Sequence, residues 1–249
     1  MISWWMYPAV LAAGVGAGIA GSVAGLASLV SYPVLLAIGL PPVTANVSNT
    51  VALVFGGAGS VAGSRPELAG RSAAIRPLAL ASIAGGILGG VLLLVAPADT
   101  FKYTVPWLIA GASTAILLPR RPQPQTPGRF HRPLLLAGTA LIGVYGGYFG
   151  AAAGVLLLAL LLAMTNDGFA HSNATKNLLS AAANAVAALA FILLTTVKWL
   201  AVAPLALGFL IGGRIGPAIV RKAPPARLRA VIAVAGLGLA VVLGWQAYR

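Results

Sequence analysis

The sequence predicts an all-α polytopic membrane protein made of two inverted repeats. Each repeat reads as a short re-entrant or broken helical hairpin followed by three transmembrane helices. Three observations predict this. Of 249 residues, 59% are hydrophobic and only 8% are charged, whereas soluble domains are about a quarter charged. "PLALASIAGGILG" (77–89) returns as "PLALGFLIGGRIG" (204–216), at an offset of 127. Twelve of the sixteen Lys and Arg residues fall in three stretches that punctuate the apolar runs, as cytoplasmic loops do under the positive-inside rule.

The first repeat carries apolar segments at 8–20, 26–40, 43–63, 72–96 and 103–118. The second carries 133–147, 151–164, 173–195, 198–220 and 228–248. Met1–Tyr7 has no basic residue, so no cleavable leader is expected there. Residues 1–118 thus form one membrane repeat and 133–249 the other. Between them, 119–132 is a basic, Pro-rich linker expected in the cytoplasm.

The basic stretches set the direction of each segment. With loops 64–76, 119–132 and 214–229 inside, 72–96 runs outward while its counterpart 198–220 runs inward. Matching segments therefore run oppositely, which makes the repeats inverted. The pair 133–147/151–164 must begin and end inside, and so is a hairpin. Its arms, like those of 8–20/26–40, have about 13–15 residues, about 20–23 Å at 1.5 Å per residue. The hydrocarbon is about 30 Å thick, so the turns at "GSVAG" (21–25) and "GGYFG" (146–150) are expected within the membrane. A single kinked or tilted helix is the alternative for each pair.

Composition also excludes functions. The formal net charge of +13 sits in membrane-flanking loops, so no nucleic-acid partner is expected. There are no cysteines, two histidines and three acids, Glu67, Asp99 and Asp167. No metal, no cofactor and no catalytic residue is expected from that set, and an enzyme would lack a nucleophile–base pair.

Polar residues concentrate at two matched helix starts. Asn46, Ser48, Asn49 and Thr50 in "NVSNT" align with Asn173, Thr175, Lys176 and Asn177 in "NATKN". N-capping explains Asn46 or Asn173 singly, and interhelical hydrogen bonding is a further alternative. Capping alone does not explain four polar residues in five in both copies, which leaves lining of a site against capping combined with interhelical bonding. Lys176 either lines a site or snorkels to the interface. Asn184 lies two turns on, at a depth where amides bridge helices. Trp4, Trp5 and Trp107 read as interface anchors. The repeated Gly-Gly-x-x-Gly at 85–89 and 212–216 reads as helix packing.

The two regions "GSVAGLASLVSYPVLLAIGLPPVTANVSNTVAL" and "GGYFGAAAGVLLLALLLAMTNDGFAHSNATKNLL" resemble the signature regions of the sulfite exporter TauE/SafE family of membrane transporters. The resemblance covers Ala12 to about Gly244. It departs at the turns, where the typical glycine cluster is thinned to "VAGLAS" and "FGAAAG". The resemblance implies transport, often export, of small anions such as sulfite, sulfonates and other organosulfur anions across the cytoplasmic membrane. A passive anion channel or facilitator is the alternative, with a membrane enzyme or an assembly subunit behind it.

An oxyanion in a membrane needs donors that replace its water. Half-helix starts after Gly25 and Gly150 offer N–H groups and the positive dipole end. The amides and hydroxyls of Asn46, Ser48, Asn49, Thr50, Asn173, Thr175 and Asn177 form a second set. Tyr148, inside the second turn, either hydrogen-bonds a ligand or only plugs the turn. Lys176 is the one cation among the matched polar residues. The expected partners are therefore a small anion and the lipid bilayer.

Overall fold

The computed structural model describes residues 6–95, 105–117, 131–148, 150 and 152–248. Trp4, Trp5, Asp99 and residues 119–130 of the linker expected at 119–132 lie outside them, while the last two linker residues, His131 and Arg132, open a helix instead. Eleven helices follow in chain order among the described residues. They are α1 (Met6–Ala24), α2 (Ala27–Ala37), α3 (Pro42–Gly63), α4 (Arg65–Leu68), α5 (Ser72–Val95) and α6 (Val105–Leu117). The second half holds α7 (His131–Tyr148), α8 (Ala153–Met164), α9 (Phe169–Leu194), α10 (Trp199–Lys222) and α11 (Pro225–Tyr248). No described residue is in a strand.

Five helices are long and apolar enough to cross a membrane: α1, α5, α9, α10 and Pro225–Val242 of α11. Helix α3 has 22 residues but opens on Asn46, Ser48, Asn49 and Thr50, which lowers its apolarity. Large side chains such as Leu88, Leu193, Leu200, Val231 and Trp107 are exposed along the outer helix faces. In lipid such a surface is at no disadvantage.

The hairpins differ from the expected equal arms. Helix α1 has 19 residues and α7 has 18, while α2 and α8 have 11 and 12. In "GSVAG" residues 21–24 continue the first arm as helix and Gly25 turns, and in "GGYFG" residues 146–148 continue it, with Gly150 outside the helix. Gly25 at φ +78° and Gly150 at φ +71° adopt the left-handed conformation that ends helices at glycine. Leu26 N donates to Ala20 O and Gly150 N to Tyr145 O, closing the two helix ends. At the other end of the second hairpin, the His131 ring Nε2 donates to Met164 O at 2.8 Å. The start of α7 and the end of α8 therefore meet, which supports a hairpin over a kinked spanning helix.

The halves pack by exchange. Helix α1 of the first half lies along α10 of the second, and α7 of the second lies along α5 of the first. Both contacts are parallel: Gly14, Gly18 and Ser22 meet Gly208, Gly213 and Gly216 in that order, and Gly85 and Gly89 meet Ala140 and Val144. The Gly-Gly-x-x-Gly segments thus form these interfaces, since small residues let backbones approach closely. Helices α3 and α9 cross at the centre, where Gly57 meets Ala181, and α6 packs on α11. One core cluster joins α1, α2, α3, α9 and α10 around Val47, Phe191 and Phe209.

Candidate functional site

The last carbonyls of a helix have no partner within it. At the end of α1, residues from the other half supply one. Lys176 Nζ donates to Gly21 O at 2.9 Å and to Ser22 O at 3.1 Å, and Asn173 Nδ2 donates to Ser22 O at 2.8 Å. The mirror contact exists at α7, where Asn46 Nδ2 donates to Tyr148 O at 3.3 Å. Each polar helix start therefore caps the first hairpin arm of the opposite half. Lys176 is only 1% exposed, so it does not snorkel. A cation at a helix C-terminus is electrostatically favoured, which answers why a lysine sits there.

Asn49, the counterpart of Lys176, is engaged within its own half. Ser31 Oγ donates to Asn49 Oδ1 at 2.6 Å, and Asn49 Nδ2 donates to Ser28 Oγ at 3.0 Å. Ser48 Oγ accepts from Lys198 N at 3.2 Å, at the start of α10. Thr50 Oγ1 donates back to Asn46 O at 3.0 Å. Thr175 and Tyr148 are buried.

A cavity of about 80 Å³ lies where the two hairpin turns meet the crossing of α3 and α9. That is several times the about 10–15 Å³ one water needs, so a small oxyanion fits and a nucleotide does not. Of the residues singled out from sequence, Gly25, Gly150, Lys176 and Asn177 line it, while Asn46, Ser48, Asn49, Thr50, Asn173, Thr175 and Tyr148 stand behind its wall. Gly25 is held against the backbone of Gly154, so that the first turn seats on the start of α8.

The lining itself is repeated. At the 125 offset Gly18, Gly21 and Gly25 pair with Gly143, Gly146 and Gly150. At the 127 offset Leu53, Gly57 and Ser82 pair with Ser180, Asn184 and Phe209, and every one of these residues lines the cavity. The polar character is not shared equally. Helix α9 presents Lys176, Asn177, Ser180 and Asn184 along one face, as the 3.6-residue period requires. Helix α3 offers Leu53, Gly56, Gly57 and Ser60 at the facing wall, with the Ser60 hydroxyl donating to Gly56 O.

Sequence reasoning missed Ser28, Ser82, Ser180 and Phe209. Ser180 was within reach of it: following the face of Asn177 one turn on reaches Ser180, and two turns on reaches Asn184. Ser82, by contrast, sits in an unremarkable apolar run.

Asn177 Nδ2 is buried without a hydrogen-bond partner in the structure, a costly state unless a ligand or water occupies it. An ammonium has three N–H donors, and two from Lys176 go to α1. The starts of α2 and α8, at Ala27 and Ser28 and at Ala153 and Gly154, also border the cavity. The donors thus converge from a side-chain amide, an ammonium and two helix N-termini. That arrangement suits an oxyanion. No group of three His, Cys, Asp or Glu that could hold a metal occurs among the described residues.

Comparison with known proteins accords with this architecture. The chain is similar to the probable membrane transporter protein ORF9 of Sinorhizobium sp, 25% identical over 232 residues covering 91% of this chain and 88% of the relative. It is also similar to the probable membrane transporter protein YfcA of Escherichia coli strain K12, 26% identical over 221 residues covering 88% of this chain and 82% of the relative. No solved structure gives a significant match. The family described as Sulfite exporter TauE/SafE matches residues 10–243, through both turns and both polar helix starts, and this chain belongs to that family of membrane transporters.

Proposed function

We propose that the protein is a secondary transporter, working as an exporter, for small anions such as sulfite, sulfonates or other organosulfur anions. Alternating access operates around the central cavity, between two inverted repeats. The observation that carries this is Asn177 Nδ2, a buried, unpartnered donor that, with Lys176, lines a partly open cavity formed by equivalent residues of both halves. Gly25, Gly150, Lys176 and Asn177 contact the substrate. Asn46, Ser48, Asn49, Thr50, Asn173, Thr175 and Tyr148 form the supporting shell that fixes the hairpins around it.

The direction of each helix follows from charge. Arg221 binds Glu67, Arg71 binds Asp167, and His131 binds Met164. These contacts gather the ends of α3, α8 and α10 on one face, with the basic loops, and that face is cytoplasmic in this reading. The membrane is then the cytoplasmic one, and the α1–α2 hairpin enters from outside. Efflux of an anion down an inside-negative potential gains about 2.3 kcal/mol per charge per 100 mV, so export needs no coupling ion. The seating of Gly25 on Gly154 beside the cavity favours a carrier over an open channel.

The test is flux of labelled sulfite in proteoliposomes. Asn177→Ala and Lys176→Gln should each lower it by about tenfold or more, the equivalent of one charge-assisted hydrogen bond. Unchanged flux in both variants, across sulfite and a panel of sulfonates, would refute the site.

A further inference from the structure

We infer that the cavity selects by valence, accepting monovalent anions, the hydrogensulfite form of sulfite among them, and rejecting divalent ones of similar size. This rests on the transport reading above and deepens it.

The charge count of the cavity sets this preference. Among the described residues lining the cavity, Lys176 is the one charged side chain. The acids nearest in sequence are committed elsewhere: Glu67 to Arg221 and Asp167 to Arg71. Four helix ends meet around the cavity. The starts of α2 and α8 carry about half a positive charge each, and the ends of α1 and α7 about half a negative charge each. These contributions offset one another, and the carbonyls at the two negative ends are already covered by Lys176, Asn173 and Asn46. What remains is a single positive charge, with neutral donors at Asn177, Ser180 and Asn184.

A monoanion brings that enclosure to neutrality. A dianion leaves one negative charge buried and unpaired, which is strongly disfavoured. The opposite wall adds no charge: the hydroxyls of Ser22, Ser60 and Ser82 donate to backbone carbonyls, and Leu53, Gly57, Ile142 and Phe209 are apolar. The repeat makes the asymmetry legible: a cation at Asn49, the position equivalent to Lys176, would have given a site with two positive charges. Asn49 instead holds Ser28 and Ser31.

The experiment uses the full chain in proteoliposomes at fixed potential and neutral pH. Labelled methanesulfonate carries one charge and labelled sulfate carries two. Wild type should move methanesulfonate at least about tenfold faster than sulfate. Asn184→Lys, two turns from Lys176 on the same face, should narrow or reverse that ratio. Sulfate flux equal to or above methanesulfonate flux in wild type would overturn valence selection while leaving anion transport standing. That wild-type ratio decides the matter even if the variant fails to fold. Absence of flux for every anion tried, sulfite included, would overturn the transport reading and this inference together.

Discussion

Two glycines with the same backbone angle illustrate what a single residue does here. Gly25 and Gly70 both adopt a left-handed φ, +78° and +72°. A Cβ on Gly70 meets open space, whereas one on Gly25 would overlap the backbone of Gly154. Gly70→Ala should therefore cost only the conformational penalty, about 1–2 kcal/mol. Gly25→Ala should cost more, because the first turn must lift off α8 as well. Thermal unfolding in detergent compares them, and equal losses would show that the contact contributes nothing. Ala152 holds the same region at φ +60° without being glycine. The thinned glycine cluster of "FGAAAG" thus leaves the second turn strained rather than rebuilt. Sequence marked both turns correctly as places for glycine. It did not show which glycine in each pentapeptide turns, because Gly, Ser and Ala sit as readily in a helix packed on small residues as in a loop.

At the scale of helices, the polar starts of α3 and α9 divide into caps and, in the function proposed above, ligands. Asn173 holds the Ser22 carbonyl, which Lys176 also holds. Asn177 holds nothing. Asn173→Ala should lower stability by about 1 kcal/mol with flux kept within a few-fold, since Lys176 still covers the helix end. Asn177→Ala should do the reverse, lowering flux with stability unchanged or slightly raised. A matched pair of unfolding and flux measurements separates them, and parallel losses in both variants would erase the distinction. The clustering of these residues was visible in the chain, and so was their pairing between copies. Their division was not, because a cap is defined by its partner, and Ser22 lies 151 residues from Asn173. The Ser28–Asn49–Ser31 group, within one half, was no easier to read. Its members are 21 and 18 residues apart, and although the break between their two segments was legible, which serines of α2 would meet Asn49 was not.

Across the whole molecule, the halves are tied at one face by two ion pairs. Arg71 of the first half binds Asp167 of the second, and Glu67 of the first binds Arg221 of the second, where Arg221 also donates to Gly63 O at 3.0 Å. The repeat and the basic stretches were enough to expect a cytoplasmic face here. These pairings were not, because loops of opposite halves become neighbours only once α1 lies on α10 and α7 on α5. In an alternating-access carrier such ties hold the face closed, so cutting them should populate the inward-open state. Surface pairs contribute about 0.5 kcal/mol each, and with Arg71 and Asp167 half-buried and Glu67 buried removing both gives at least about 1 kcal/mol, or about fivefold in population. The chain has no cysteine, which makes the shift measurable. Ser180→Cys places one thiol in the cavity wall. In the Arg71→Ala/Arg221→Ala background, a membrane-impermeant thiol reagent applied from the cytoplasmic side should modify it about fivefold faster than in the single variant. Applied from outside, the same reagent should react more slowly than before, because the outward-open population falls. Faster modification from outside would place the ion-paired face on the other side of the membrane. An equal rate in both backgrounds would mean that the two pairs do not gate the cavity.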